Sequence, residues 1–274
     1  MAQGSDVGVT ARWAAAVRAV ETEREDRLYA DPWAAALAGE AGMAWVRERP
    51  AATLTTMVLR TRFFDDELRR AVDGGLGQVV LLAAGLDTRA FRLAWPVGTT
   101  VFELDRADVL EHKASVLAAA GATPTAERRV VATDLAGSAW VTALARAGFD
   151  AGAPAAFLAE GFVFYLPGPA VDALLGTLTS VAAPGSRLGF DIVNALVLTH
   201  PLTRGWVEMQ AELGAPWLGT LEDPVSTLGG LGWDATLHQA GDPEADHGRW
   251  TLPHLPVDRP DLPHHWLVTA TRRA

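Results

Sequence analysis

The 274-residue chain contains no cysteine, which excludes a disulfide scaffold, thiolate zinc and iron–sulfur sites, and a cysteine nucleophile. Basic residues are also scarce, with 23 Lys and Arg against 33 Asp and Glu for a formal charge of −10. That balance argues against a nucleic-acid partner, which needs a basic face. Long apolar runs are missing too. The most apolar stretch, Ala155 to Leu166, is interrupted by Glu160 and is far shorter than the roughly 20 residues that span a bilayer, so no membrane partner is expected. The opening residues show no basic segment followed by an apolar one, and a cytoplasmic protein is the expectation. No His-x-x-x-His or Glu-x-x-His pair reads as helical, so no metal is expected. What the chain has is bulk: 49% apolar residues, enough for a full α/β core in one large domain with an appendage.

From Thr10 to about Asp73 the period is helical. TARWAAAVRAVETERED carries apolar residues at helical spacing with charged residues opposite. Asp31-Pro32 restarts the chain with a capping acid and a proline suited to a first turn. A second helix is expected to run towards Arg49-Pro50 and a third from Ala52 through Leu68, closed by Gly74-Gly75. From Gln78 the pattern changes: QVVLLAAG, TTVFELD, RRVVATD, PAAFLAEG and SRLGFDIV read as short strands buried on both faces, separated by helical segments. Such βαβ alternation predicts an α/β fold with a mostly parallel, doubly wound sheet and its ligand at the carboxyl ends of the strands. WDATLHQA and HHWLVTATRR are expected to add an antiparallel edge pair. The expected organisation is a helical cap section over residues 1–75 and a ligand-binding domain over 76–274. Within the latter, 193–231 is an apolar insert, read as a lid or as a helix covering the sheet.

Four of these strands end in acidic residues: Asp87, Asp105, Asp134 and Glu160. In a parallel sheet their ends share one edge, where gathered carboxylates call for a cationic or hydroxyl-rich ligand. The loop after the first strand, Ala83-Ala84-Gly85-Leu86-Asp87, has one glycine and a carboxylate where a dinucleotide fold would place G-x-G-x-x-G and a phosphate. Asp105 follows Gly85 by 20 positions, the spacing of a ribose-binding acid in either an NAD or an S-adenosylmethionine (SAM) site. Asp134-Leu135 can meet an adenine amino group, and Asp87 or Glu160 an α-amino group. SAM carries both amines and a sulfonium.

The ordered set QVVLLAAGLDTRAFRL, VFELDRADVLEHK, ATDL and FLAEGFVFYLP, with LRTRFFDDEL and RLYADPWA upstream, resembles the leucine carboxyl methyltransferase family of Rossmann-like class I SAM-dependent methyltransferases. It is especially similar to an actinobacterial branch that includes carboxyl O-methyltransferases of aromatic polyketide pathways. The resemblance covers roughly Arg18 to Asp191. It implies that Ala83 and Gly85 offer backbone contacts to the methionine part, Asp105 holds the ribose, Asp134 and Leu135 bind adenine, and Glu160 lines the methionine end. Arg60, joined by Arg18, would bind the SAM carboxylate. Ala83 stands where eukaryotic members have glycine, with little loss expected because its contact is through backbone.

The expected activity is O-methylation of a small-molecule carboxylate, with a phenol or enol hydroxyl as the alternative and NAD(P)-dependent oxidoreduction or non-catalytic SAM binding behind both. A carboxylate needs no general base, which suits a sequence without an evident His–Asp pair. For a hydroxyl acceptor, His200, which follows the fifth strand, is the candidate base. Tyr165 lies in the loop over the crevice, and Arg204 in the insert is a candidate partner for a substrate carboxylate. His264-His265 is read only as the start of the last strand. Oligomeric state leaves no trace in the sequence.

Overall fold

The computed structural model describes residues 8–49, 51–257, 259 and 261–274. The opening residues 1–7 and Pro50, expected at the end of the second helix, lie outside them. Three helices come first: α1 (Val9–Thr22), α2 (Ala34–Arg47) and α3 (Ala51–Asp73). The alternating part follows as β1 (Gln78–Leu82), α4 (Arg89–Arg92), β2 (Thr100–Asp105), α5 (Ala107–Ala119), β3 (Glu127–Ala132), α6 (Ala139–Arg146), β4 (Ala156–Ala159), α7 (Gly168–Val181) and β5 (Arg187–Val193). The chain ends with α8 (Ala195–Thr199), α9 (Arg204–Glu212), α10 (Pro224–Gly230), β6 (Trp233–His238), α11 (Pro243–Asp246) and β7 (His265–Arg272). No helix among the described residues is long and apolar enough to cross a membrane.

The seven strands form one sheet in the order β3-β2-β1-β4-β5-β7-β6. The first five run parallel, and β7 lies antiparallel between β5 and β6, so every strand expected from the sequence is present. The order reverses between β1 and β4, which opens a crevice at their carboxyl ends. β3 departs from its expected burial: it is the outer strand, and Val130 is largely exposed. Its apolar run fits one covered face only.

Helical periodicity explains how the sheet is covered. On α3, Phe64, Leu68, Ala71 and Val72 fall at i, i+4, i+7 and i+8 and are buried, in one core with Val79 and Leu81 of β1 and Trp13 and Val17 of α1. The N-terminal helices therefore share a core with the sheet. Gly189 of β5 permits this contact, since a Cβ there would lie 3.2 Å from the Phe64 ring. Asp31 caps the turn that leads into α2, its Oδ1 accepting from Trp33 N–H at 3.2 Å, while Trp33 holds the N-cap position of the helix itself. The other oxygen of the buried Asp31 carboxylate accepts from Arg18 Nε at 2.8 Å and from the Thr88 hydroxyl, drawing α1 to the loop after β1.

Candidate active site

At the carboxyl edge of the sheet lies a cavity of about 740 Å³, within the range of small-molecule sites. All four acidic strand ends line it, as the sequence anticipates. Behind β1 the chain turns through two left-handed residues, Ala83 at φ 49° and Gly85 at φ 47°. Gly85 N–H donates to Asp105 Oδ2 at 2.6 Å and Arg106 N–H to Oδ1 at 2.7 Å, so Asp105 fixes the loop and still presents lone pairs to the cavity. Burial raises its pKa, against the lowering effect of those two N–H groups. Asp134 is exposed and accepts from Ala136 N–H at 2.8 Å, while Leu135 beside it is buried and supplies an apolar surface.

The glycine-to-alanine exchange at position 83 carries a conformational cost that the resemblance did not foretell. A left-handed alanine costs roughly 1–2 kcal/mol, partly offset by the roughly 0.5–1 kcal/mol of extra chain entropy that a glycine loses on folding. Ala83→Gly is therefore expected to stabilise the fold by about 0.5–1 kcal/mol. Urea unfolding measures this, and a destabilised variant would contradict it.

Below the acids lies a buried ionic network. Arg89 binds Asp65 through Nε at 2.7 Å, Glu160 through Nη2 at 2.7 Å and Asp87 through Nη1; Arg92 binds Asp65 from the other side. Arg60 donates from Nε to Glu160 Oε1 at 3.0 Å and from Nη1 to Asp191 Oδ2 at 2.9 Å. Asp191 has no exposed side-chain surface and also accepts from Gly161 N–H at 2.6 Å and from His265 Nε2 at 2.9 Å. Burial disfavours its charge, but Arg60 and the His265 contact outweigh this and lower its pKa to about 2. Arg89 likewise holds Asp87 well below the usual carboxylate range against the cost of burial. Within this network three arginines face four carboxylates, an excess of acid that favours a ligand that brings positive charge.

Aromatic residues complete the lining. Phe164 packs on Tyr165 and Trp217 with ring centroids 4.7 and 4.5 Å apart, and His265 stands 6.0 Å from Phe164. All four, with Trp206 of α9, line the cavity. Burial raises the Tyr165 pKa.

Two expected site residues are corrected. His200 follows α8 between Val197 and Leu202, which line the cavity, but does not itself line it, and its Nδ1 accepts from Leu202 N–H at 3.2 Å. Arg204 sits on the solvent face of α9, its side chain 63% exposed and 3.6 Å from Glu208. Arg18 and Arg60 do line the cavity, yet Arg18 already holds Asp31 and the Leu86 carbonyl. Missed by the sequence were Arg89, Asp191 and His265. Arg89 was legible only as the next charge after Asp87; Asp191 and His265 gave no local signal, because a long-range strand pairing joins them.

Comparison with known proteins fits this geometry. The leucine carboxyl methyltransferase family description matches residues 11–179. The chain belongs to that family. A Streptomyces coelicolor protein, provisionally named an S-adenosyl-L-methionine-dependent methyltransferase, is 41% identical over 99% of this chain and 97% of its own length. A Mycolicibacterium smegmatis protein of like name is 40% identical over 89% of each chain. Among solved structures, a Thermobifida fusca protein provisionally described as a methyltransferase aligns with a TM-score of 0.60 at 21% identity, covering 95% of this chain and 94% of that one. The magnesium protoporphyrin IX methyltransferase of Synechocystis, solved with bound S-adenosylhomocysteine (SAH), aligns at 0.50 and 14% identity over 85% of this chain and 95% of that one. These two similarities show the shared class I fold.

Proposed function

We propose that this chain, a SAM-dependent methyltransferase, transfers the methyl group to an oxygen atom of a small acceptor with an aromatic body. The observation that carries the reading is the mixed lining of the cavity: acidic strand ends together with Phe164, Tyr165, Trp206 and Trp217. The residues suit SAM. Asp105 has acceptor capacity for ribose hydroxyls, Leu135 offers a surface for adenine, and the negative network attracts a ligand that carries an ammonium and a sulfonium. Bound there, SAM supplies an electrophilic methyl group. The chain's own part is to align the acceptor and keep water out.

The carboxylate acceptor suggested by the family resemblance meets an obstacle. Every arginine among the described lining residues already touches a carboxylate: Arg18 on Asp31, Arg60 on Glu160 and Asp191, Arg89 on Asp65, Asp87 and Glu160, Arg92 on Asp65, and Arg106 on Asp108. A second anion would enter without a cation of its own. The test is incubation with labelled SAM and a panel of phenols and benzoic acids, with mass spectrometry to separate base-labile esters from stable ethers. Methylation confined to amines would overturn the oxygen-acceptor reading, and methylation confined to peptides would overturn the small-acceptor reading.

Arg60 gives a second test. Arg60→Leu is expected to weaken SAH binding by one to two orders of magnitude, as for the loss of one charge-assisted contact of about 1.5–3 kcal/mol. Binding of 5′-methylthioadenosine, which lacks the carboxylate, should change little in calorimetry below the unfolding temperature. Equal weakening of both ligands would show that Arg60 serves only to hold Glu160 and Asp191 in place.

A further inference from the structure

We infer that His265, oriented by Asp191, is the general base of the reaction and that the accepting group is a phenolic or enolic hydroxyl. The inference rests on the oxygen-acceptor reading and goes beyond it by choosing the group. In the antiparallel register His265 pairs with Val193, which puts its side chain on the same face as Asp191, diagonally across β5 and β7. The carboxylate of Asp191 is ionised and only accepts, so the 2.9 Å contact requires the proton on Nε2. Nδ1 then carries the lone pair, and no group among the described residues bonds it. The ring lines the cavity beside Phe164 and Trp217, against the wall that suits an aromatic acceptor.

The step balances without any further reactant. The acceptor hydroxyl gives its proton to Nδ1 as its oxygen bonds to the methyl carbon, and the carbon–sulfur bond breaks with its electron pair going to sulfur. The resulting imidazolium is stabilised by Asp191. The positive charge lost from sulfur reappears on His265, so the buried network keeps the same total charge through the reaction. A carboxylate acceptor would release no proton and would leave the His265–Asp191 pair without a task. The charged group in contact with the ring is Asp191 from β5, which also holds Arg60 from α3, with Glu160 reached through Arg60; the Tyr165 hydroxyl after β4 senses the same Arg60 and Asp191 charges.

Two measurements test this. In nitrogen NMR of the histidine-labelled SAM complex, the neutral His265 ring should carry its proton on Nε2 and leave Nδ1 bare. A neutral ring with its proton on Nδ1 would overturn the inference. In the labelled-SAM panel, phenols should react where benzoic acids do not. His265→Gln should lower phenol turnover at least a hundredfold at neutral pH, abolish the rise of kcat with pH that a general base imposes, and leave SAH affinity within threefold. Methylation of benzoic acids alone, or phenol turnover retained within threefold in the variant, would overturn it; loss of SAH binding would mark His265 as structural. Where no panel member reacts, the ring tautomer decides. Transfer to nitrogen, by contrast, would defeat the oxygen-acceptor reading whichever tautomer His265 holds.

Discussion

Arg89→Met is expected to lower the unfolding free energy by about 3–5 kcal/mol at neutral pH, the cost of removing one partner from a buried ionic set. The side chain is 2% exposed and binds three carboxylates. Asp65 would keep Arg92 and Glu160 would keep Arg60, but Asp87 would lose its only direct salt-bridge partner among the described residues. The sign of the pH dependence follows from Asp87, whose pKa Arg89 depresses in the folded state. Stability from a depressed carboxyl is fully present above its unfolded pKa and is lost as pH falls through the folded value. The gap between wild type and variant should therefore be widest near pH 7 and narrow below about pH 4. Urea unfolding at the two pH values measures it. Arg89→Lys should recover little, because an ammonium cannot reproduce the forked contacts to Asp65, Asp87 and Glu160. A neutral-pH loss under about 1 kcal/mol would mean that desolvation of the network cancels its Coulombic attraction.

The sequence exposes some layers of this molecule and hides others. The strands were legible because burial on both faces imposes unbroken apolar runs such as QVVLL, and because each parallel strand brings its terminal acid to the same edge. Asp87, Asp105, Asp134 and Glu160 could thus be placed together from local pattern alone. The cations that balance them could not. Arg60 meets Glu160 across 100 positions and Asp191 across 131, and nothing in LRTRFFDDEL reveals which acids its helix will face. The choice of histidine failed for a related reason. His200 is near β5 in sequence and its neighbours Val197 and Leu202 line the cavity, yet His200 itself does not; His265 is 74 positions from Asp191 and reaches it only because β7 inserts antiparallel beside β5. Arg204 failed on a matter of helix phase, since a one-residue change of position rotates a side chain by about 100°.

Asp105→Ala is expected to weaken SAM and SAH binding about a hundredfold or more. Its carboxylate is placed to accept from ribose hydroxyls, each such charge-assisted bond is worth about 1.5–3 kcal/mol, and every 1.4 kcal/mol is about tenfold in affinity. The carboxylate has a second duty, because it also anchors Gly85 N–H at 2.6 Å in a loop that contains the left-handed Ala83. Part of the loss would therefore come from loosening the loop. A cycle with 2′-deoxy-SAH separates the two: the wild type should lose affinity on removal of the hydroxyl, whereas the variant should show little further loss. pH supplies an independent check. Burial raises the Asp105 pKa, so as pH falls this residue gains a proton before ordinary carboxylates do and loses acceptor capacity. Wild-type affinity should accordingly decline on the acid side over a range where the variant's affinity is flat. Near-normal binding by Asp105→Ala, or equal deoxy penalties in both proteins, would remove Asp105 from the ribose site.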